Sequence, residues 1–256
     1  MLLLFYIFIF LFGLIIGSFL NCVIYRLKQE ENLGGRSYCP SCRHGLAWFD
    51  LVPIFSFLFL GGRCRYCKRR LSWQYPVVEF LTGILFVTTY WYLANIQNLS
   101  LVSVLYLLII ICVLVVVTIV DLKHYLIPTT LTLAASLIAL FYNYFFLNSG
   151  VFIDHIIAAF GAALFFALIV LVTLGRGMGE GDIFLACMIG MVLGLKGTLV
   201  AVFVAFVIGA IVAIFLVALG RKKFGQAVPF GPFLVLGFLA SLFWGEFLLN
   251  WYLMLY

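Results

Sequence analysis

Ile109-Ile-Ile-Cys-Val-Leu-Val-Val-Val-Thr-Ile-Val-Asp121 is an apolar run that ends on a carboxylate. With Leu101–Leu108 ahead of it, the stretch is long enough to cross a bilayer as a helix. A charged side chain at the edge of such a run is costly, and where one persists it tends to mark function. Asp182 has the same placement. It follows Gly175-Arg-Gly-Met-Gly-Glu-Gly181 and opens another apolar stretch, 61 positions further on.

The rest of the chain reads alike. Its 256 residues are 66% hydrophobic and 9% charged, which excludes an ordinary soluble domain. Spans are expected near 3–25, 76–94, 100–121, 128–147, 152–174, 183–195, 198–219 and 229–250. The sixth is the shortest, and Gly194–Gly197 forms the turn after it. Other brief connectors are Asn95–Asn98 and Asn148–Gly150. No basic region precedes Met1–Leu20, so it reads as a retained span rather than a cleaved signal. Fourteen of the fifteen Lys/Arg fall on one side of this arrangement, including Arg176 and Arg221–Lys223; only Lys196 falls on the other. Basic loops face the cytoplasm, which puts the N-terminus outside. The net charge of +6 is thus a topology signal and a grip on anionic lipid, not a nucleic-acid footprint. The expected fold is an all-α polytopic membrane protein of about eight transmembrane helices. Residues 1–27 and 76–256 form its membrane core, and residues 28–75 a small zinc-ribbon-like cytoplasmic insertion between the first and second helices.

The insertion carries Cys39-Pro-Ser-Cys42 and Cys64-Arg-Tyr-Cys67, with 21 residues between the pairs. In a reducing compartment such pairs favour a metal over disulfides. Four thiolates from two tight turns suit a closed, tetrahedral, structural Zn²⁺. An insertion too small for a sufficient core gains most from such a staple. His44 reads as an exposed neighbour, and Cys22, Cys112 and Cys187 as small apolar residues. Phe49–Gly61, broken by Pro53, is too short to span and is expected at or dipping into the interface. No solenoid-type repeat is evident.

Each aspartate alone has a bland reading: Asp121 as an interfacial carboxylate paired with Lys123 or His124, Asp182 as a helix cap. Pro128 suits the first turn of the following helix. Together the two fall on one membrane face, where adjoining carboxylates share a proton. One acid and one base across a water hydrolyse a peptide without a metal or covalent intermediate. Gly179 and Gly181 allow the close approach this needs. Asp50 and Asp154 lie elsewhere and do not replace the pair. The alternative reading is a proton-coupled membrane transporter with Asp121 and Asp182 as its relay. A third is a structural assembly protein of a secretion system.

Several motifs in order carry a specific likeness: Gly17-Ser-Phe-Leu-Asn-Cys-Val-Ile-Tyr-Arg26, the two CxxC pairs, Tyr75-Pro-Val-Val-Glu79, Asp121 with Ile127-Pro128, Gly179-Glu-Gly-Asp182, and Pro229-Phe-Gly-Pro232. The chain resembles the type IV prepilin leader peptidases, the bifunctional prepilin peptidase/N-methyltransferases of the GxGD class of membrane aspartic peptidases. The resemblance implies a bacterial inner-membrane enzyme with Asp121 and Asp182 as the catalytic pair. It implies cleavage of prepilin or pseudopilin precursors between a basic leader and a hydrophobic helix, at the cytoplasmic face. The new N-terminal residue would then be methylated with S-adenosylmethionine. Glu79 is the candidate for holding that cofactor or the new amine, with Gly17, Asn21 and Arg26 nearby. Glu30, Glu31, Glu79 and Glu180 are candidates to receive the basic leader. Pro229–Pro232 either shapes the active-site floor or starts the eighth helix. Thr129 stands where the family often has an acidic residue, and Phe184 where it often has lysine.

Overall fold

The computed structural model describes residues 2–32, 34–96, 100–175, 177–220 and 228–254. Arg176, the basic run Arg221–Lys223 and positions 97–98 of the Asn95–Asn98 connector lie outside them. The helices are α1 (Leu2–Gln29), α2 (Phe55–Phe59), α3 (Gln74–Ile96), α4 (Leu101–His124), α5 (Thr129–Phe146), α6 (Ser149–Val172), α7 (Glu180–Ala218) and α8 (Gly231–Leu253), with a 3₁₀ turn at Trp48–Leu51. Seven of them are long and apolar enough to cross a membrane. The protein is a multi-pass membrane protein. Two compact units divide within α4, at Val116 and Val117.

In the first unit α1 packs on α3. A Cβ at Gly13 would lie 2.7 Å from Gly83 Cα, and one at Gly17 would lie 2.7 Å from Glu79 Cα. Lipid supplies no hydrophobic drive between helices, so small residues four apart let the backbones touch and gain dispersion contacts. Helix α1 stops where Glu30 takes a positive φ and Glu31 N–H bonds back to the Arg26 carbonyl, a left-handed C-cap.

Beyond α1 come two knuckles that repeat with a shift of 25 residues. Cys39 N–H donates to His44 O and Arg43 N–H to Cys39 O; Cys64 N–H donates to Arg69 O and Lys68 N–H to Cys64 O. Arg43 and Lys68 both adopt positive φ, and bridges pair Tyr38 with Gly45 and Arg63 with Arg70. Leu46 and Trp48 correspond to Leu71 and Trp73. This short duplication is absent from the expectation of no repeat, which considered solenoid periods only.

The second unit is built around α7, which packs on α5, α6 and α8. Gly190 meets Ala158 and Ala159 of α6, and Gly194 meets Asp154 and His155. After Gly194 the order runs the other way, and Phe206 stacks on Phe166. The chain therefore doubles back at Gly194, whose φ of 68° and ψ of −178° lie in a region essentially reserved for glycine. Thus α7 makes two passes, and the expected eight crossings are met. The four-residue turn expected over Gly194–Gly197 contracts to a single reversing residue, because Asp154 Oδ2 accepts Leu195 N–H at 2.9 Å and satisfies the new helix start. Asn143 Nδ2 donates to the Met191 carbonyl at 2.7 Å, and His155 Nδ1 lies 2.8 Å from it. Helix α8 runs back along the second pass, with Gly237 against Ala201 and Ser241 Oγ donating to Gly197 O.

Candidate active site

Asp121 lies one turn before the end of α4. Tyr125, at positive φ, donates its N–H to the Asp121 carbonyl at 2.9 Å and ends the helix. The residue before proline resists the helical region, so the helix does not run on through Ile127 and Pro128 becomes the N-cap of α5 rather than part of its first turn. Ile127 is thereby wedged between two glycines. A Cβ at Gly181 would lie 2.7 Å from Ile127 Cβ, and one at Gly231 would lie 3.3 Å from Ile127 Cδ1. That wedge gathers the end of α4, the start of α7 and the start of α8 into one place.

Both carboxylates there are 5% exposed. Asp121 Oδ2 accepts Gly231 N–H at 2.9 Å, and Asp182 Oδ2 accepts Gly179 N–H at 3.2 Å. The second contact is half of a capping box, so the helix-cap reading of Asp182 holds alongside any other role. Asp182 Oδ1 is buried without a hydrogen-bond partner among the described residues. Ile127 links the two: it touches Gly231, whose N–H holds Asp121, and Gly181, the chain neighbour of Asp182. Gly231 is thus a partner of Asp121 that the sequence reading, with Lys123 or His124 in view, does not name. A main-chain donor carries no sequence signature, so Pro229–Pro232 announces only a helix break.

Residues 11–93 match the Bacterial Peptidase A24 N-terminal domain, and residues 107–214 match the Type IV leader peptidase family. A prepilin leader peptidase/N-methyltransferase of Legionella pneumophila is 32% identical over 95% of this chain and 92% of its own length. The Bacillus subtilis protein of that name is 32% identical over 96% of both, and the Pseudomonas aeruginosa one 29% identical over 95% and 91%. The chain belongs to the prepilin leader peptidase/N-methyltransferase family. No solved structure matches it. The proton-coupled transporter alternative finds no support among these relatives.

The family's N-terminal domain spans the cysteine knuckles. Their four Sγ atoms lie within 4.8 Å of one another, with Cys39 and Cys67 3.9 Å apart. Tetrahedral Zn–S bonds of about 2.3 Å require S···S separations of about 3.8 Å, so the donor set fits zinc. Burial opposes ionisation of Cys39, yet the N–H groups of Cys42 and Ser41 outweigh it and bring the thiol down to about 7. At Cys42 the His44 N–H favours the thiolate, but burial and the sulfurs of Cys39 and Cys67 push it up to about 11. Four crowded sulfurs cannot all ionise unaided, and a dication removes that conflict. His44 stays outside the cluster, its ring 3.8 Å from that of Tyr66. Arg65 joins the knuckles to the 3₁₀ turn through Asp50 Oδ1 at 2.7 Å and the face of Phe49.

Between this module and the ends of α1 and α3 lies a cavity of about 120 Å³. Ser18, Asn21, Tyr25, Tyr75 and Glu79 line it from the two helices. Asn21 is fixed by Tyr75 O at 3.1 Å and Gln74 Nε2 at 3.1 Å. Arg26 is buried, and its guanidinium donates to the carbonyls of Asn32, Gly34, Gly35 and Arg36, clamping the segment that leads into the first knuckle. Glu79 is 6% exposed and accepts Ile54 N–H at 2.7 Å. Asn21, Arg26 and Glu79 therefore line one cavity in the first unit, with Gly17 packed against Glu79, while Asp121 and Asp182 belong to the second. Glu30, Glu31 and Glu180 are exposed.

Proposed function

We propose that this chain is a bifunctional enzyme of the bacterial inner membrane. It cleaves the basic leader from prepilin-like precursors and methylates the amine it exposes. Asp121 and Asp182 perform the hydrolysis. The supporting observation is the buried Asp182 Oδ1, which has no partner among the described residues and lies at the same Ile127 wedge as Asp121. A lone buried carboxylate oxygen of this kind is a place for a water's hydrogen bond.

Adjoining carboxylates share one proton. The ionised member takes a proton from water as the water oxygen attacks the scissile carbonyl carbon. The protonated member donates to the carbonyl oxygen, forming a tetrahedral intermediate. On collapse the C–N bond breaks and the leaving nitrogen receives a proton from the pair. Gly231 N–H and Gly179 N–H each hold one oxygen, leaving the others to face the reaction.

The four cysteines hold a structural zinc, and the cavity around Glu79 holds S-adenosylmethionine, which supplies an electrophilic methyl carbon when bound. Tyr25 and Tyr75 offer aromatic surface there, and Glu79 a carboxylate. The knuckles lie on the cytoplasmic side, the N-terminus outside. Basic residues of the insertion rest on anionic headgroups, leaving Glu180, Glu30 and Glu31 to meet the leader.

The test is to incubate the purified protein with a precursor, with and without S-adenosylmethionine, and weigh the product. A leader-sized loss plus a methyl-sized gain is expected. An uncut precursor with wild-type protein, under conditions where a relative cuts it, overturns the peptidase reading.

A further inference from the structure

Glu79 is a buried carboxylate in a cavity, and among the described residues no cation pairs with it. Buried carboxylates are normally paired with a cation or fully hydrogen-bonded. Here the strongest donor is a backbone N–H, that of Ile54 at 2.7 Å. Ser18 of α1 lines the same cavity.

The Ile54 conformation is unusual. Its φ of 61° and ψ of −51°, with Phe55 N–H donating to Pro53 O at 2.6 Å, form a γ-turn of the rare, strained type. A β-branched residue at positive φ is an outlier that the surroundings must enforce. Glu79 holds this turn through the Ile54 N–H. The turn opens directly into α2, and Ser56 and Phe57 of α2 line the same cavity.

We infer that Glu79 is the docking carboxylate for an α-ammonium group, which replaces the Ile54 N–H and lets the Pro53–Phe55 turn relax. The inference rests on the reading of this cavity as the methyl-transfer site. An ammonium has a full charge and several N–H donors, so it binds a carboxylate more strongly than one neutral amide does. Release of the strained turn adds to the exchange. Two sources share this chemistry: the methionyl end of S-adenosylmethionine and the N-terminus exposed by cleavage.

The experiment uses the full-length protein in lipid nanodiscs, with Glu79→Gln and Ile54→Gly. It measures S-adenosylmethionine affinity, the affinity for 5′-methylthioadenosine, which lacks the amino-acid end, and the KM of a pre-cleaved acceptor peptide. If the ammonium belongs to the donor, Glu79→Gln weakens S-adenosylmethionine by roughly 10- to 100-fold and leaves methylthioadenosine unchanged. If it belongs to the acceptor, donor affinity stays and the peptide KM rises by that factor. In either case the effective ligand speeds hydrogen exchange at residues 54–56 in wild type. Ile54→Gly removes the strain, so ligand binding weakens about fivefold or more with Glu79 intact. Thermal melting of the same preparations reports folding. A Glu79→Gln protein that matches wild type in both affinities and in peptide KM overturns the inference while leaving the methyl-transfer reading in place. A wild-type protein that neither binds the donor nor methylates overturns both.

Discussion

Gly231 donates its backbone N–H to Asp121 Oδ2 at 2.9 Å across 110 positions of sequence, and the same glycine has no room for a side chain. A Cβ there would stand 2.6 Å from that oxygen. Gly231→Ala therefore moves the carboxylate rather than removing it. Displacement of a catalytic group by about 1 Å can cost on the order of 10²-fold in rate. The expected outcome is a fall of that size in kcat for precursor cleavage, with KM little changed. Wild-type kcat in a folded Gly231→Ala protein would contradict this role.

Asp121→Asn and Asp182→Asn each remove one proton-transfer partner. Cleavage is expected to drop by about 10²–10⁴-fold for either. A pre-cleaved acceptor should still be methylated, because the cavity around Glu79 belongs to the other unit. Mass spectrometry of both products separates the two activities; joint loss in stable variants argues against separate sites.

The metal-stripped insertion should respond to pH in two opposing ways. Cys39 has a thiol lowered from 9.0 to about 7 by folding, so its contribution is full above 9.0 and is lost as pH falls through about 7. Cys42 is raised from 9.0 to about 11, so its contribution is present below 9.0 and is lost as pH rises through about 11. Protection of residues 36–73 from proteolysis is thus expected to peak near pH 9 without metal. Zinc should flatten the curve through that range, since it takes all four sulfurs as thiolates. A stripped protein with no such peak contradicts the assignment.

Gly194→Ala forces a side chain into a conformation that L residues rarely adopt and puts a Cβ 2.6 Å from Asp154 Oδ2. A cost of about 1–3 kcal/mol follows from the backbone alone. A lower Tm and reduced cleavage are expected together, since Asp182 rides on the same helix. Unaltered thermal stability would show that the reversal tolerates a side chain.

Leader recognition is tested by Glu180→Lys, which reverses an exposed charge two positions before Asp182. The apparent KM for a basic-leader precursor should rise, and more so at low salt, where exposed charges are least screened. Unchanged kinetics at low salt would reject the idea.

Much of this was legible in the sequence because membrane burial writes itself in side chains. The β-branched run before Asp121, Ile127-Pro128, and the CxxC pairs all announce their local structure. What stayed hidden lies in the backbone. Gly194 and Gly197 looked like the two ends of a turn, and nothing in their identity says that one residue suffices. The donor at Gly231 is an amide every residue but proline possesses. Ile54 is the opposite case, since its side chain argues against the conformation it adopts, and its partner Glu79 lies 25 positions away. The knuckle duplication was readable in Cys-x-x-Cys-x-x-x-Leu-x-Trp at both places, but ten residues are a faint signal beside long apolar spans.

The reversal at Gly194 also makes the first pass of α7 a ruler. Twelve positions of unbroken helix separate that pivot from Asp182. Each added or deleted residue would swing the carboxylate by about 100° and slide it by about 1.5 Å. Deletions and insertions between the two are thus barred by geometry, however greasy the replacement.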